Sequence, residues 1–225
     1  MTTTTTTNLK KQTGTEREKI LIKTILRLSI SVSLAGLGIV LSAVVVFFPN
    51  IEFISVTIFL ISLLFGVYYG ILAATSMAIV YEFLVTFIYG SAGLLILFKL
   101  LCYIILAIIV GLGRKFFVKL SFWELGIMGG FFAIFYDIIT TIGGQIVVLQ
   151  NNITSAYLLS ILIFGIPFTI LHFVGNFILF SLMKSFLNLI KTAFEYRGIK
   201  LLLISPLLEN SKEENQPTKE HGLNE

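Results

Sequence analysis

The stretch "FPNIEFISVTIFLISLLFGVYYGILAATSMAIVYEFL", residues 48–84, decides the fold class of this chain. Its only charged residues are two glutamates, one near each end. The hydrocarbon core of a bilayer is about 30 Å thick, and a helix needs roughly 20 apolar residues to cross it. Gly66 and Gly70 interrupt the stretch near its middle, so it predicts two consecutive transmembrane helices, at 51–67 and 69–89.

The rest of the chain repeats this pattern. Apolar residues make up 56% of the 225 residues and charged residues only 12%, far from the balance of a soluble domain. Four further apolar runs are long enough to cross a bilayer. The sequence therefore predicts an all-α membrane protein, a bundle of six transmembrane helices at about 20–48, 51–67, 69–89, 92–114, 122–148 and 156–190.

Two polar segments flank the predicted six-helix transmembrane domain, which covers residues 20–200. Residues 1–19 begin with a threonine tract and offer no apolar surface to bury, so we expect a disordered lead. The apolar run that follows is too long for the hydrophobic region of a cleavable signal peptide. Residues 201–225 are polar again and predict a cytoplasmic tail. Neither segment has the pattern of a catalytic domain, and we predict that the chain is not an enzyme.

Lysine and arginine are distributed unevenly between the two predicted sides of the membrane. They precede or open the first helix, link the fourth helix to the fifth and end or follow the sixth, whereas the three loops on the opposite side contain neither residue. Segments rich in these residues are retained in the cytoplasm. We therefore predict that both termini are cytoplasmic and that the protein lies in the plasma membrane. An odd number of helices would place one basic cluster outside, so the charges support a count of six.

Four ionisable side chains at membrane depth are the candidate functional groups: Glu82, Lys99, Asp137 and His172. An unpaired charge facing lipid costs roughly 2.5–3.5 kcal/mol at mid-bilayer, so each of them needs a partner or water. Glu82 and Lys99 lie at similar depths in neighbouring helices. They either pair to hold the helices together or reach a water-filled cavity that binds a polar ligand. Asp137 is open to the same two interpretations, and Gln145 points to roughly the same helix face.

His172 and Asn176 are four residues apart and therefore share one face of the sixth helix. The plain interpretation is that both are buried and hydrogen-bond across helices, and the alternative is a ligand or partner role. No second histidine follows in the apolar segments, so we predict no metal site. Intramembrane CAAX-type proteases also use an H-x-x-x-N element, but the paired glutamates that accompany it are missing here. We therefore assign no catalytic residue.

A stripe of small residues runs along the first predicted helix, at spacings of four, three and four: Ser31, Ala35, Gly38 and Ser42. Small residues let another helix approach closely within lipid, where packing drives association. The stripe serves either internal packing or an external partner, and the sequence leaves both possibilities open. No G-x-x-x-x-G-K-[ST] loop occurs in the chain, so we expect no ATP hydrolysis by that route.

Three segments carry a resemblance to a known family. Residues 48–84 resemble the second and third helices of the substrate-binding S components of energy-coupling factor (ECF) vitamin transporters. "FFAIFYDIITTIGG", residues 131–144, is similar to their fifth helix, and "LHFVGNFILF", residues 171–180, resembles their closing helix. The order of these elements extends the resemblance over about 25–190. The chain departs from the family in two places. In its first helix the small-residue stripe stands in place of an A-x-x-x-A element. The turn from Gly66 to Gly70 lacks the arginine that many relatives have there.

The resemblance implies a function. An S component captures a vitamin or vitamin precursor from outside and releases it inside when it is coupled to a membrane T component and two cytoplasmic ATPases. Those ATPases use the ATP, so this chain would need no cofactor of its own. We therefore expect a vitamin-like small molecule, the T component, the ATPases and the lipid bilayer as partners, and no nucleic acid. The alternative is a structural or assembly membrane protein whose buried charges only specify helix packing.

The resemblance also implies which residues carry that function. The family binds its substrate with the fourth, fifth and sixth helices and the external loops, and it meets the T component with the first helix. The implied substrate-binding residues are Lys99, Asp137 and Gln145, with Glu82, Tyr89 and Asn152 as neighbours. The implied contacts to the T component are Ser31, Ala35, Gly38 and Ser42.

Overall fold

The structure, a computed structural model, describes residues 3–47, 51, 53–89, 94–149 and 154–196. This part of the chain is all-helical, as predicted, and contains no strand. Its seven helices are α1 (Thr3–Val44), α2 (Phe53–Phe65), α3 (Val67–Tyr89), α4 (Leu95–Leu112), α5 (Arg114–Lys119), α6 (Phe122–Leu149) and α7 (Ser155–Tyr196).

Five of these helices are long and apolar enough to cross a membrane: α1 through its segment Ile20–Val44, and α3, α4, α6 and α7. The helix predicted at 51–67 is present, but α2 has only 13 residues and is about 20 Å long at 1.5 Å per residue, shorter than a full span. α1 begins at Thr3, inside the segment that we predicted as a disordered lead. The predicted tail at 201–225 lies outside the described residues.

α2 lies at the centre of the bundle. It contacts α1, α3, α4, α5 and α7, and 11 of its 13 residues are buried. Phe59 of α2 packs edge-on against Phe117 of α5 and Phe180 of α7, with ring centroids 5.8 Å and 5.3 Å away. The neighbouring helices therefore shield most of this short helix from the surroundings of the bundle.

A single glycine joins α2 to α3, and an arginine from a distant helix covers the junction. Gly66 has a positive φ of 95°, a conformation that residues with a side chain rarely adopt. Arg114 donates from Nε to the carbonyl oxygen of Leu63 at 2.7 Å, and from Nη2 to that of Leu64. Carbonyls in the last turn of a helix lack intrahelical donors. Burial, and then repulsion from Arg27, lowers the pKa of Arg114 from its ordinary value.

A lysine binds the C-terminal end of the short helix α5 in the same way. Lys184 of α7 donates from Nζ to the carbonyl oxygens of Val118 and Leu120, at 2.9 Å and 2.7 Å. Basic side chains therefore supply donors to helix ends at this end of the bundle. We call it the basic end, marked by Arg27, Arg114 and Lys184.

α6 and α7 form the most extensive helix pair in the described structure. Glycines of α6 make room for the aromatic side chains of α7: a Cβ added to Gly130 would lie 2.5 Å from Cε2 of Phe173, and one added to Gly129 would overlap Phe180. Close approach over small residues is a general means of helix association in lipid. α6 and α7 are therefore closely packed along the half of α6 that is nearer to the basic end.

The stripe of small residues on α1 faces inward. Three of its members are buried: Ser31, Ala35 and Ser42. A Cβ added to Gly38 would overlap the Thr57 hydroxyl of α2 and lie 2.8 Å from Cε of Met77 in α3. The stripe thus serves internal packing, one of the two possibilities that the sequence left open. Its use as a contact to a T component stays a prediction, and it would require α1 to leave this position.

Candidate functional site

A layer of polar side chains crosses the bundle away from the basic end. It contains the four ionisable residues that the sequence singled out and draws on α2, α3, α4, α6 and α7. Glu82 and Asp137 each lie fifteen residues after the first residue of their helix, or roughly 22 Å along the helix axis. We call this group of side chains the polar layer. Its members are Ser55, Glu82, Lys99, Tyr103, Tyr136, Asp137, His172 and Asn176.

An ion pair between α3 and α4 forms one side of the polar layer. Nζ of Lys99 donates to Oε2 of Glu82 at 2.7 Å, and the side chains are 19% and 8% exposed, respectively. The pair was one of the two predicted possibilities for these residues. The second carboxylate oxygen of Glu82, Oε1, is buried and has no hydrogen-bond partner in the described part of the chain. Because most buried polar atoms are hydrogen-bonded, this oxygen is an acceptor left open to a ligand or a water molecule.

A second pair joins α6 to α7. Oδ1 of Asp137 lies 2.8 Å from Nδ1 of His172, a distance at which the imidazole N–H donates to the carboxylate. The His172 side chain is 6% exposed and that of Asp137 is 21% exposed. The sequence indicated that both residues are functional candidates, but it gave no reason to pair them.

Two tyrosines connect these pairs. The hydroxyls of Tyr103 and Tyr136 are 3.3 Å apart, and the rings stack at a centroid distance of 5.5 Å. Tyr136 in turn meets the ring of His172 edge-on, at 5.9 Å and 87°. Tyr103 also lies one turn after Lys99 on the same face of α4. The tyrosines therefore join the pair on α6 and α7 to α4, one turn from the lysine of the other pair.

Asn176 extends the polar layer to the central helix. Its Nδ2 donates to the backbone carbonyl of His172 at 3.2 Å, and its Oδ1 accepts from the hydroxyl of Ser55 at 3.2 Å. His172 and Asn176 are thus buried and hydrogen-bonded across helices, which matches the first of the two interpretations that the sequence left open. Ser55 is a member that the sequence analysis missed, because one serine in an apolar helix carries no distinctive pattern.

Two further predicted site residues, Gln145 and Tyr89, lie apart from the polar layer. Gln145 accepts a hydrogen bond from the hydroxyl of Tyr157, at 3.3 Å, near the end of the bundle opposite the basic end. Tyr89 is the last residue of α3, and Asn152 lies outside the described residues. The structure thus brings Glu82, Lys99 and Asp137 into one layer and gives Gln145 a different partner.

A groove opens between α6 and α7 beside Asp137. Its volume is about 290 Å³, close to the lower limit of roughly 300 Å³ for small-molecule sites. The polar residues in its lining are Asp137, Thr141 and Thr169, and the rest of the lining is apolar apart from Gly165. Glu82 and Lys99 do not line it. Of the predicted substrate-binding residues that the structure describes, Asp137 alone lines this groove.

No family model, no curated protein and no solved structure matches this chain. The described ranges also contain no group of three or more His, Cys, Asp or Glu side chains that could hold a metal ion. The fold and the site therefore define the protein at the level of class: an all-helical protein, compatible with a multi-pass membrane location, with a polar layer inside an apolar bundle. The resemblance to ECF S components stays a prediction.

Proposed function

We propose that the chain is the substrate-binding S subunit of an ECF-type ABC importer. It captures a vitamin or vitamin precursor from outside and releases it inside when a T component and two ATPases are coupled to it. The observation that supports this proposal is the polar layer, with an open acceptor on Glu82 and a groove beside Asp137. Ionisable residues inside membrane segments are costly and commonly line substrate or ion pathways.

The proposal includes six crossings of the plasma membrane, with α2 as the short one, and both termini in the cytoplasm. α2 is mostly covered by its neighbours, so few of its backbone groups would need shielding from lipid. The basic end then faces the cytoplasm, in line with the preference of Lys and Arg for that side. In this orientation the polar layer lies nearer the external surface, within reach of a ligand that arrives from outside.

A structural or assembly role is the second candidate, and the pairing within the polar layer favours it. Glu82 has Lys99 as its partner and Asp137 has His172. Buried pairs of this kind can serve to specify how helices pack, without any ligand. In that role the protein would carry no small molecule, and changes to the polar layer would affect stability alone.

Native mass spectrometry of the gently extracted protein tests the proposal. We expect a bound small molecule that collisional activation releases. The double variant Glu82→Gln/Asp137→Asn should lose this adduct while keeping the elution volume of the folded protein, because both changes are nearly isosteric. Lys115→Gln, a change at an exposed position of α5, is the matched control and should keep the adduct.

Coexpression with the T component and both ATPases of an ECF importer gives the second measurement. An S subunit should copurify with them in detergent, and vitamin uptake by the cells should rise. A protein without any adduct, and without copurification, would overturn the proposal and leave the assembly role.

A further inference from the structure

The two ionisable pairs of the polar layer differ in how exposed their carboxylates are. The Glu82 side chain, which accepts a hydrogen bond from Lys99 at 2.7 Å, is 8% exposed. Oδ1 of Asp137 lies 2.8 Å from Nδ1 of His172, and the Asp137 side chain is 21% exposed. Asp137 is also the more exposed member of its pair, and it lines the groove between α6 and α7.

Each polar group of this groove can accept a hydrogen bond from a ligand. His172 occupies Oδ1 of Asp137, and within the described residues Oδ2 has no partner. Pro167 lies inside α7 and has no N–H, so it cannot donate to the carbonyl of Ile163 four residues earlier. Ile163 lines the groove, together with the hydroxyls of Thr141 and Thr169. A threonine hydroxyl both donates and accepts, whereas the carboxylate and the carbonyl only accept, so a ligand that donates hydrogen bonds has the larger number of partners in the groove.

The rest of the groove is apolar and has free space on one side. Five aliphatic side chains complete the walls besides Ile163: Ile134, Ile138, Leu162, Ile166 and Ile170. A Cβ added to Gly165, which also lines the groove, would meet no atom within 4 Å. The groove thus has room for a compact apolar body next to its carboxylate.

We infer that this groove binds a small organic cation whose N–H donors meet Asp137 and the Ile163 carbonyl while its apolar body lies along the aliphatic walls. The inference rests on the proposed function and names the substrate class of that site. A charged donor to a carboxylate forms a stronger hydrogen bond than a neutral one, which selects amines over alcohols. An anion would place its own acceptor oxygens against the carboxylate of Asp137. A lipid acyl chain would fill the apolar part alone and would not depend on the carboxylate.

Binding of three matched probes to the full chain in nanodiscs tests this inference. The probes 2-phenylethylamine, 2-phenylethanol and phenylacetate share an apolar body and differ in charge at neutral pH. Calorimetric titration should give saturable binding of the amine and at least tenfold weaker binding of the alcohol and the acid. Asp137→Asn should weaken amine binding at least tenfold, because it removes the charge and keeps the side chain's shape.

Two glycine variants provide a control for the location of the site. Gly165→Leu should fill the groove and abolish amine binding. Gly36→Leu makes the same change on α1, at a glycine whose added Cβ would also meet nothing within 4 Å, and should leave binding unchanged. The unfolding temperature of each variant is measured first, and binding is compared only when this temperature equals that of the wild type. A loss of binding then does not reflect a loss of folding.

The outcomes separate this inference from the function on which it rests. No saturable amine binding, equal binding of the three probes, or amine binding that survives Asp137→Asn overturns the cation site. If the protein copurifies with the T component and ATPases but carries an anion, the importer function stands and the cation site fails. If the amine binds through Asp137 but no importer subunits associate, the cation site stands and the importer function fails.

Discussion

Replacing Lys99 with methionine is expected to destabilise the bundle more than replacing Glu82 with leucine. The two side chains form one ion pair, but that of Glu82 is 8% exposed and that of Lys99 is 19% exposed. After Lys99→Met, the carboxylate loses its only partner within the described structure, and Oε1 is unsatisfied already. After Glu82→Leu, the flexible stem of Lys99 can carry its ammonium group towards water. Lys99→Met therefore leaves the more deeply buried charge without a partner.

The magnitudes follow from this difference in burial. Removing one partner of a buried ion pair costs about 3–5 kcal/mol, and we expect about 3 kcal/mol for Lys99→Met because the pair is not fully enclosed. For Glu82→Leu we expect about 1–2 kcal/mol, since the lysine that remains is partly solvated. The double variant replaces the pair with apolar side chains and should lie within about 1 kcal/mol of the wild type. The coupling energy, which is the sum of the two single costs less the cost of the double variant, is then about 3–6 kcal/mol.

Equilibrium unfolding in bicelles, followed by circular dichroism, gives the four free energies of unfolding that this double-mutant cycle needs. Lys115→Met is the control, because the lysine is exposed on α5 and should change the free energy by less than about 0.5 kcal/mol. Additive effects of the two single substitutions would refute the argument that the pair stabilises the bundle. A smaller cost for Lys99→Met than for Glu82→Leu would refute the argument from burial.

Two further predictions test how the helices pack, the first of them with a control substitution. Gly38→Leu should destabilise the fold by about 1–3 kcal/mol, because the added side chain overlaps Thr57. Gly36→Leu is the control and should not lower the unfolding temperature. Space is open at Gly36, and leucine favours helix more than glycine does. Arg114→Met should cost about 1–3 kcal/mol by removing two hydrogen bonds to α2 carbonyls, and a thermal midpoint equal to that of Lys115→Met would contradict this.

The depth of a residue along a helix can be predicted from sequence, and this is why the ion pair could be anticipated. Glu82 lies seven residues before the end of α3, and Lys99 lies four residues after the start of α4. In two consecutive antiparallel helices these positions are at similar depths. The same argument fails for Asp137, twelve residues before the end of α6, and His172, seventeen after the start of α7. Their depths differ by five residues, about 7.5 Å, which the crossing of the two helices has to offset.

The face that a helix turns inward is harder to predict than the depth of its residues. The small-residue stripe on α1 indicated a close helix contact correctly, but the sequence did not tell whether the neighbour belongs to this chain. The structure supplies α2 and α3 as those neighbours. α5 escaped prediction because a six-residue helix is too short to show a 3.6-residue period. Ser55 and the groove beside Asp137 depend on how three helices meet, which no single segment encodes.

The short central helix also sets an order of events during synthesis of the chain. A segment of 13 apolar residues is below the length that crosses a bilayer alone, whereas α3 has 23 residues. The guanidinium that binds the end of α2 belongs to Arg114, 49 residues after Phe65. At roughly 5–20 residues per second, the ribosome needs about 2–10 s to produce it. During this interval the carbonyls of Leu63 and Leu64 lack the side-chain donor that Arg114 later supplies, so the end of α2 is completed only after α3 and α4 have been synthesised.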